Sequence, residues 1–346
     1  MAETADDDPS KARVPFWRRI RLPSYRSKPA PDPLFADAAP VPRKHHWRLI
    51  GGAILAVAIL YYPLGMLWIS RINDDLAFAA NNLVVPNGGS RAVAVAAALI
   101  QREVVDGHWV ANDPFFLPAS ALDNMPNFQQ GIVEALARFT FELTDQIGRV
   151  RGSSRTDPDL QEAAGLLQYS GTKWVFDFST SLAPTATSEA QYARARTVLL
   201  SYNQRLSQGT AVFERRADNL LATLDRIAHD IGSSSASLYD RIGVDGGWFD
   251  TYSDDVFYST KGQIYAYYLV LRELQKDFAN VITEKELGVA YAQLLESMAQ
   301  AVRVDPWIVI NGAPGAMFVP NHLAAEGFYV LRARTQLREI TDILLK

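Results

Sequence analysis

Carboxylates and aromatic rings are concentrated between residues 245 and 258, and these residue types could carry chemistry. The segment DGGWFDTYSDDVFY holds four aspartates and five aromatic rings. Aromatic faces stack on sugar rings, and paired carboxylates bind cations or divide general-acid and general-base roles. The composition therefore predicts a ligand or glycan contact. The candidate residues are Trp248, Asp250, Tyr252, Asp254 and Asp255.

A structural role for the same aspartates competes with ligand binding. Aspartate also caps helices and closes turns, so these aspartates need no ligand, and the structural role is the favoured interpretation. The order D-x-[DN]-x-[DN]-G of a calcium loop is missing from the segment. We therefore predict no metal site and no cofactor.

One further pattern is similar to a catalytic set. Residues 170–173 match S-x-x-K, and residues 253–255 and 260–262 are similar to the S-D-N and K-T-G elements of penicillin-recognising enzymes. The second element has Asp in place of Asn, the third is scrambled, and the two are too close in sequence to lie on different faces of one cleft. Chance explains the match. A non-enzymatic role is therefore favoured, and an enzymatic role is left open.

Two weaker patterns involve histidine and glycine. His108, His229 and His322 are far apart in the sequence and lack the close spacing of a zinc motif such as H-E-x-x-H. Residues 86–91, PNGGSR, form a glycine turn whose amide N–H groups and Arg91 are able to hold an anion. The turn lacks the lysine of a phosphate-binding loop, so a plain helix start is the favoured interpretation.

An uncharged run of 21 residues from Leu49 to Ile69 predicts a helix that crosses a bilayer once. Trp47 precedes the run and Trp68 lies at its far end. At 1.5 Å per residue the two indoles are separated by roughly 31 Å, which is the thickness that interfacial aromatic residues bracket. The lipid bilayer is therefore the predicted partner of residues 49–69.

Positive residues near the span predict its orientation, since basic flanks resist translocation. Arg43, Lys44 and Arg48 precede the span, whereas Arg71 is the only basic residue in the next twenty positions. We predict a cytoplasmic N-terminus and, in the inner membrane of a bacterium with two membranes, a periplasmic C-terminal part. The chain has no cysteine, which excludes disulfides and thiolate sites and suits an oxidising compartment.

The net charge divides at the same boundary. Residues 1–48 carry ten basic and six acidic side chains, whereas residues 49–346 carry 24 and 32. The resulting net charges of +4 and −8 sum to the −4 of the whole chain. A basic tail favours an anionic lipid surface, and an acidic outer part argues against nucleic acid as a partner.

The composition divides the chain into three parts. Residues 1–46 are predicted to be a disordered cytoplasmic tail, because the region is proline-rich and has little apolar periodicity. Residues 47–70 are the predicted transmembrane helix. Residues 71–346 are a predicted helical periplasmic domain with a sub-boundary near 180–190. The predicted fold class is all-α, a helical bundle that contains a long heptad-patterned helix or helix pair.

Apolar residues at steps of three and four predict the helices of this bundle. One helix covers residues 90–105 and ends at Gly107, and another begins at Phe128 and reaches Val150. Residues 283–286 match a capping box and predict the start of a third helix. Its apolar face is Leu287, Tyr291, Leu294, Met298 and Val302. Asn321 is predicted to cap a last helix.

The longest pattern is a heptad seam from Tyr192 to Ile231. Its other members are Ala195, Leu199, Tyr202, Leu206, Gly209, Phe213, Ala217, Leu220, Leu224 and Ile227. A sustained repeat permits one elongated rod that pairs or self-associates, whereas a break at Gly209 yields two ordinary helices. The two-helix alternative is favoured. Residues 233–237 are predicted to be a polar connector after the seam.

Three stretches lack helical periodicity and are rich in aromatic and turn-forming residues. They are residues 108–128, 245–261 and 305–322. Long irregular loops often carry function, so any ligand contact is expected there.

Together with the span, three segments carry a resemblance to a family of uncharacterised bacterial envelope proteins. These segments are the turn at residues 86–91, the stretch Gly171–Phe178 (GTKWVFDF) and the segment Trp248–Gln263. The resemblance covers most of the chain after residue 45. It implies a single span and a helical outer domain, and it implies no catalytic residue.

An anchor and long amphipathic helices, without a credible catalytic set, favour an adaptor or scaffold of the bacterial envelope. The alternative is a membrane-tethered binder or hydrolase of cell-wall glycan that uses residues 245–258. The expected partners are envelope proteins and the bilayer, and self-association is left open.

Overall fold

The computed structural model describes residues 43–69, 71–147, 156–176, 183–242, 244, 250–313 and 319–346. These residues contain no strand, only an isolated bridge between Asn311 and Asn321, so the predicted all-α class is confirmed. The α-helices are α1 Arg43–Ile69, α2 Arg91–Ile100, α3 Asn124–Glu142, α4 Pro158–Leu167, α5 Ser188–Ser207, α6 Ala217–Arg241, α7 Thr251–Asp277, α8 Ala279–Glu284, α9 Gly288–Val302 and α10 His322–Leu344. The second of two compact units is Val57–Lys346.

Helix α1 contains the predicted span. Within its 27 residues, His46–Gly65 is long and apolar enough to cross a membrane, and none of this stretch is buried. The helix begins at Arg43, four residues before the predicted boundary. Residues 1–42 of the predicted tail lie outside the described part of the chain.

Helix α7 lies at the centre of the bundle and packs against α2, α3 and α9. Glycines allow its closest contact. A Cβ atom on Gly262 would lie 2.0 Å from the carbonyl oxygen of Phe128, and one on Gly131 would lie 2.1 Å from the carbonyl oxygen of Ser259. Backbone therefore packs against backbone where α3 crosses α7.

Helix α2 is alanine-rich and almost wholly buried, as its high helix propensity and small side chains permit. Ser90 caps it by accepting a hydrogen bond from the Val93 amide. A π-helical extension, Gln101–Asp106, continues it to Gly107, which confirms the predicted helix. Helix α3 and its extension to Ile147 likewise confirm the helix predicted from Phe128, and residues 148–155 lie outside the described part.

The glycine turn before α2 is occupied by a carboxylate of the chain itself. Asp277, at the end of α7, accepts hydrogen bonds from the Ser90 hydroxyl at 2.7 Å and from the amides of Arg91 at 2.9 Å and Ala92 at 3.0 Å. A carboxylate at a helix N-terminus accepts hydrogen bonds from the free amide groups of the first turn and interacts favourably with the positive end of the helix dipole. The turn is thus a structural joint between α2 and α7.

The heptad seam divides into two helices, α5 and α6, as favoured. The chain turns at Gly209, whose φ of +70° is a left-handed conformation suited to glycine. Helix α5 packs mainly against α2 and α4, whereas α6 packs mainly against α10. Apart from the exposed Gly209 and the half-buried Ala217, the seam residues are therefore buried in two different interfaces of one bundle.

The polar connector predicted at residues 233–237 was wrong, because α6 continues through it to Arg241. The serine hydroxyls bond back to the helix. Ser233 donates to the carbonyl of His229, Ser234 to that of Asp230 and Ser237 to that of Ser233. These bonds give the serine hydroxyl groups partners within the helix, so the polar stretch can continue as helix.

The capping box predicted at residues 283–286 was also wrong. Thr283 and Glu284 end the short helix α8, and α9 begins at Gly288 without a side-chain cap. The predicted apolar face of α9 is nevertheless buried. At the last helix the prediction is confirmed, because the Asn321 side chain accepts a hydrogen bond from the Ala324 amide at 2.7 Å.

The chain between α1 and α2 is bound along α7. We call residues 71–83 the linker segment. Its apolar side chains pack on the core. Its polar contacts are the Lys261 ammonium with the Asp74 carboxylate at 2.9 Å, the Tyr265 hydroxyl with the Asp75 carbonyl at 3.0 Å, and the Arg272 guanidinium with the Leu76 and Phe78 carbonyls, both at 2.8 Å. The linker segment is therefore part of the bundle.

Candidate functional site

Much of the segment predicted to bind a ligand forms the first turns of α7, so the irregular stretch predicted to reach residue 261 was wrong beyond Asp250. Asp250 starts the helix as its N-cap, and Ser253, Phe257 and Tyr258 are buried in the bundle. Residues 245–249, which include the predicted site residue Trp248, lie outside the described residues.

Asp250 has a structural role. Its carboxylate accepts hydrogen bonds from the Ser253 amide at 3.3 Å and the Ser253 hydroxyl at 2.6 Å, and it pairs with Arg241. Burial alone would raise the pKa of Asp250, but the hydrogen bonds from Ser253 and Arg241 outweigh it and hold the pKa below its usual value. Asp250 joins the end of α6 to the start of α7.

Tyr252 lies beside that joint and faces solvent. Its ring is 61% exposed, and the Arg241 guanidinium lies 5.1 Å from the ring centroid. The ring is thus an accessible aromatic surface in a cation–π contact. Its neighbours Asp254 and Asp255 belong to a different group of side chains.

Asp254 and Asp255 face the start of α3, where Asp123 completes a cluster of three carboxylates. Burial, followed by the negative charges of Asp123 and Asp255, raises the pKa of Asp254 to about 7. Burial and a hydrogen-bonded Asp123 raise the pKa of Asp255, and Asn127, which donates to it at 2.6 Å, opposes that shift. One oxygen of Asp254 is buried without a hydrogen-bond partner in the described structure. Neighbouring carboxyl groups in a site with little water lose their protons at different pH values, as catalytic acid and base pairs do.

Asp255 also lines a polar cleft of about 370 Å³ between α3, α6 and α7. The cleft carries carboxylates, amides and several hydroxyl groups. Its lining includes Asn127, Asp230, Ser233, Ser237, Ser259 and Gln263. Hydroxyl and amide groups of this kind exchange hydrogen bonds with polar ligands.

A larger cleft of about 590 Å³ lies farther along α3 and is partly apolar. Its wall includes Val133, Ala137, Phe141 and Leu167. The two clefts share Glu134 and Arg138, which are paired at 3.9 Å and both more than half exposed. One face of α3 therefore carries a partly apolar cleft and a polar cleft that adjoin at Glu134 and Arg138.

The sequence patterns do not reveal a buried lysine on α7 and a buried glutamate near the start of α10. Lys261 is completely buried, and its ammonium group contacts Asp74 at 2.9 Å, Asp305 at 3.1 Å and the carbonyl of Val304 at 3.1 Å. Glu326 is also completely buried, and neither carboxyl oxygen has a hydrogen-bond partner in the described structure. Burial raises the pKa of Glu326 far above its usual value, although Lys261 opposes the shift. Burial therefore favours the protonated, uncharged form of this carboxyl group.

The sequence patterns with histidine do not come together. His108 pairs with Asp113, His229 pairs with Asp225, and the His322 ring accepts a hydrogen bond from the Ile310 amide. Among the described residues no group of three or more acidic or histidine side chains is arranged to hold a metal ion. These three side chains therefore serve separate local contacts.

No curated protein matches this chain, and no solved structure matches it. A family model described as uncharacterised proteins conserved in bacteria (DUF2333) matches residues 43–247 and 242–346. The two matches together cover helix α1 and the helices that follow it, including both clefts. This agrees with the resemblance carried by the span, the glycine turn and the start of α7. The chain therefore belongs to this uncharacterised bacterial family, DUF2333.

Proposed function

We propose that the protein is a membrane-anchored adaptor of the bacterial envelope, in which the groove along α3 binds a peptide segment of a partner protein. The observation that carries the proposal is that the two clefts lie side by side along α3 and share Glu134 and Arg138 in their walls. An apolar floor beside charged and hydroxyl groups suits a peptide, because apolar anchors supply affinity and a polar rim supplies specificity. Phe141 is 45% exposed on the wall and is an accessible anchor contact.

The anchor in this proposal is α1. Helix length and apolar composition support a single crossing of the inner membrane, and the basic residues before α1 support a cytoplasmic N-terminus. Residues 71–346 would then lie in the periplasm. A tethered adaptor meets its partners in two dimensions, which raises their effective concentration without any new contact.

Site-specific photocrosslinking tests the adaptor function. A photoreactive phenylalanine analogue replaces Phe141 in the full chain, and cells are irradiated before the membranes are solubilised. We expect an adduct with a second protein. The matched control places the same analogue at Val289, which is 73% exposed on α9 and outside both clefts, and should give no such adduct.

The outcomes separate three alternatives. An adduct of distinct mass that depends on position 141 supports the adaptor. A product at twice the mass of the 38.4 kDa chain identifies a second copy instead and contradicts a different partner. Recovery of only uncrosslinked monomer with the analogue at either position would contradict the proposal that the groove is a docking site.

Binding of cell-wall glycan is a second candidate, and the polar cleft favours it. Carboxylate, amide and hydroxyl groups such as Asp255, Asn127 and Ser259 line that cleft, and Tyr252 offers an aromatic face nearby in sequence. If the protein were a hydrolase, Asp254 would be its acid, because an acid with a pKa near 7 is still about half protonated at neutral pH.

Retention on purified peptidoglycan tests the second candidate. Wild-type protein should be retained, and Asp255→Asn should be released, whereas the exposed Asp225→Asn on α6 should behave like wild type. Soluble muropeptides released by wild type and not by Asp254→Asn would extend binding to hydrolysis. Wild-type protein that passes through the resin would contradict glycan binding.

A further inference from the structure

Two loops of the bundle expose large apolar side chains. In one, Trp307 is fully exposed and Ile308 is 56% exposed. In the other, Phe115 is 84% exposed and Phe116 is 48% exposed. Full exposure of a tryptophan at a loop tip leaves its apolar surface in water, where burial would be favourable.

The Trp307 loop is joined through Lys261 to the linker segment that follows α1. The ammonium group of Lys261 contacts both Asp74 and Asp305, at 2.9 and 3.1 Å. Asp74 follows Ile69, the last residue of α1, by five residues, which span at most about 18 Å when extended. Trp307 follows Asp305 by two residues, or about 7 Å of chain at most.

The Phe115 loop contacts α1 itself. The Tyr62 hydroxyl, in the last third of α1 and inside the compact unit Val57–Lys346, donates to the Phe115 carbonyl at 3.0 Å. Arg71 and Asn73 of the linker segment line a cavity of about 470 Å³ together with Gly107 and His108, which precede the loop. Both loops with exposed aromatic side chains therefore lie at the end of the bundle where the linker segment begins.

We propose that Phe115, Phe116, Trp307 and Ile308 insert into the bilayer surface as a second membrane contact, in addition to α1. The inference rests on the proposed crossing of the membrane by α1. Tryptophan and phenylalanine favour the boundary between headgroups and acyl chains, where apolar side chains are buried by about 5–10 Å. A lipid surface is the occupant because the covalent link through the linker segment holds both loops within a short distance of it. The contact fixes the orientation of the bundle on the membrane.

Single-cysteine labelling tests the inference, since the chain has no cysteine of its own. Trp307→Cys and Phe115→Cys are labelled with a nitrobenzoxadiazole dye in the full chain, reconstituted into vesicles of phosphatidylethanolamine and phosphatidylglycerol. We expect a blue shift of the emission and a loss of intensity with lipids that carry a nitroxide near the headgroup. Val289→Cys is the matched control, because it is also largely exposed, at 73%, near the start of α9. There Tyr291 donates to the carbonyl of Leu271, ten residues along α7 from Lys261, so the dye at position 289 should stay unquenched.

A fourth label separates failure of the inference from failure of the anchor. Leu55→Cys lies in the middle of the span and should be quenched by lipids that carry a nitroxide deep in the acyl chain. Quenching at Leu55 with water-like emission at 307 and 115 overturns the second contact and leaves the anchor in place. Unquenched dye at Leu55 overturns the anchor itself. A blue shift at 307 without quenching by lipid identifies a protein contact and also overturns the inference.

Discussion

Glu273 is a completely buried carboxylate at the centre of a charge cluster between α2 and α7. Arg91, Arg272 and Lys276 contact it at 2.7, 2.9 and 2.8 Å. Burial alone would raise the pKa of Glu273, but the hydrogen bonds from Lys276 and Arg91 outweigh it and lower the pKa. The cluster is therefore stable only while its single carboxylate is ionised.

We expect Glu273→Gln to destabilise the protein by about 3 kcal/mol, because removing one partner of a buried ion pair leaves the others uncompensated. The measurement is denaturant unfolding of the full chain in detergent. Glu296→Gln is the matched control, since its pair with Arg303 is exposed and should contribute less than about 1 kcal/mol. Equal losses for the two variants would show that the cluster contributes no more than a surface pair.

The pKa of about 7 for Asp254 predicts a pH dependence of stability. An aspartate in an unfolded chain titrates near pH 3.9, so between pH 4 and 7 only the folded state keeps this proton. The stabilisation is complete below about pH 4 and is lost as the pH rises through about 7. We expect Asp254→Asn to reduce the fall in unfolding free energy across that range.

Denaturant unfolding at several pH values measures this effect. Asp225→Asn, an exposed aspartate on α6, should leave the slope of wild type unchanged. Glu326 contributes a fall of the same sign because its pKa is also raised, so a residual slope is expected in Asp254→Asn. An unchanged slope in Asp254→Asn would contradict the raised pKa of this carboxyl group.

The composition of residues 245–258 identified Asp254 and Asp255 but not the residues that perturb them. Asp123 lies more than a hundred residues earlier and is recognisable only as a helix-start residue of α3. Lys261 and Glu326 look like ordinary surface charges in the sequence. Their burial depends on where α10 and the loop at Asp305 pack, which local patterns do not contain.

At the scale of elements, the crossing of α3 and α7 depends on two glycines without side chains. We expect Gly262→Ala to lower the free energy of unfolding by about 1–3 kcal/mol. The added Cβ would lie 2.0 Å from the backbone oxygen of Phe128, which is fixed in α3 and unable to move aside as a side chain would. Circular dichroism during denaturant unfolding of the full chain is the measurement.

Gly165→Ala is the matched control, because no atom lies within 4 Å of a Cβ at that position in α4. Alanine should stabilise the helix there by about 0.5–1 kcal/mol, since it loses less backbone entropy than glycine. If both substitutions stabilise the protein, the close approach of α3 to α7 is not required.

Helices with regular apolar periodicity were predictable as elements, and their ends were less so. The core face of α9 was correct, but its start was not, because a capping-box pattern also occurs where one helix ends before another. The prediction of a connector at residues 233–237 was wrong because a polar stretch need not end a helix. Their hydroxyl groups bond back to carbonyls of α6, and Leu238 beyond them is buried, so packing holds the helix together across a polar stretch.

At the scale of the whole molecule, the topology of the proposed anchor makes a direct prediction. Alkaline phosphatase, which folds only in an oxidising compartment, should be active when fused after Lys346. A fluorescent protein that matures in the cytoplasm should be active when fused before Met1 and inactive after Lys346. The opposite pattern would place the bundle in the cytoplasm and remove the basis for a periplasmic adaptor.

The helical class, the apolar span and the division of the seam into two helices could all be predicted from the sequence, because each depends on patterns local to one stretch of chain. The tertiary structure alone decided which distant side chains meet. It placed Asp277 in the turn before α2, Asp123 beside Asp255, and Asp74 and Asp305 on one buried lysine. It also formed the groove along α3. These contacts depend on how several helices pack together. Loss of water at such contacts, and not residue type alone, determines the pKa values of the buried ionisable side chains.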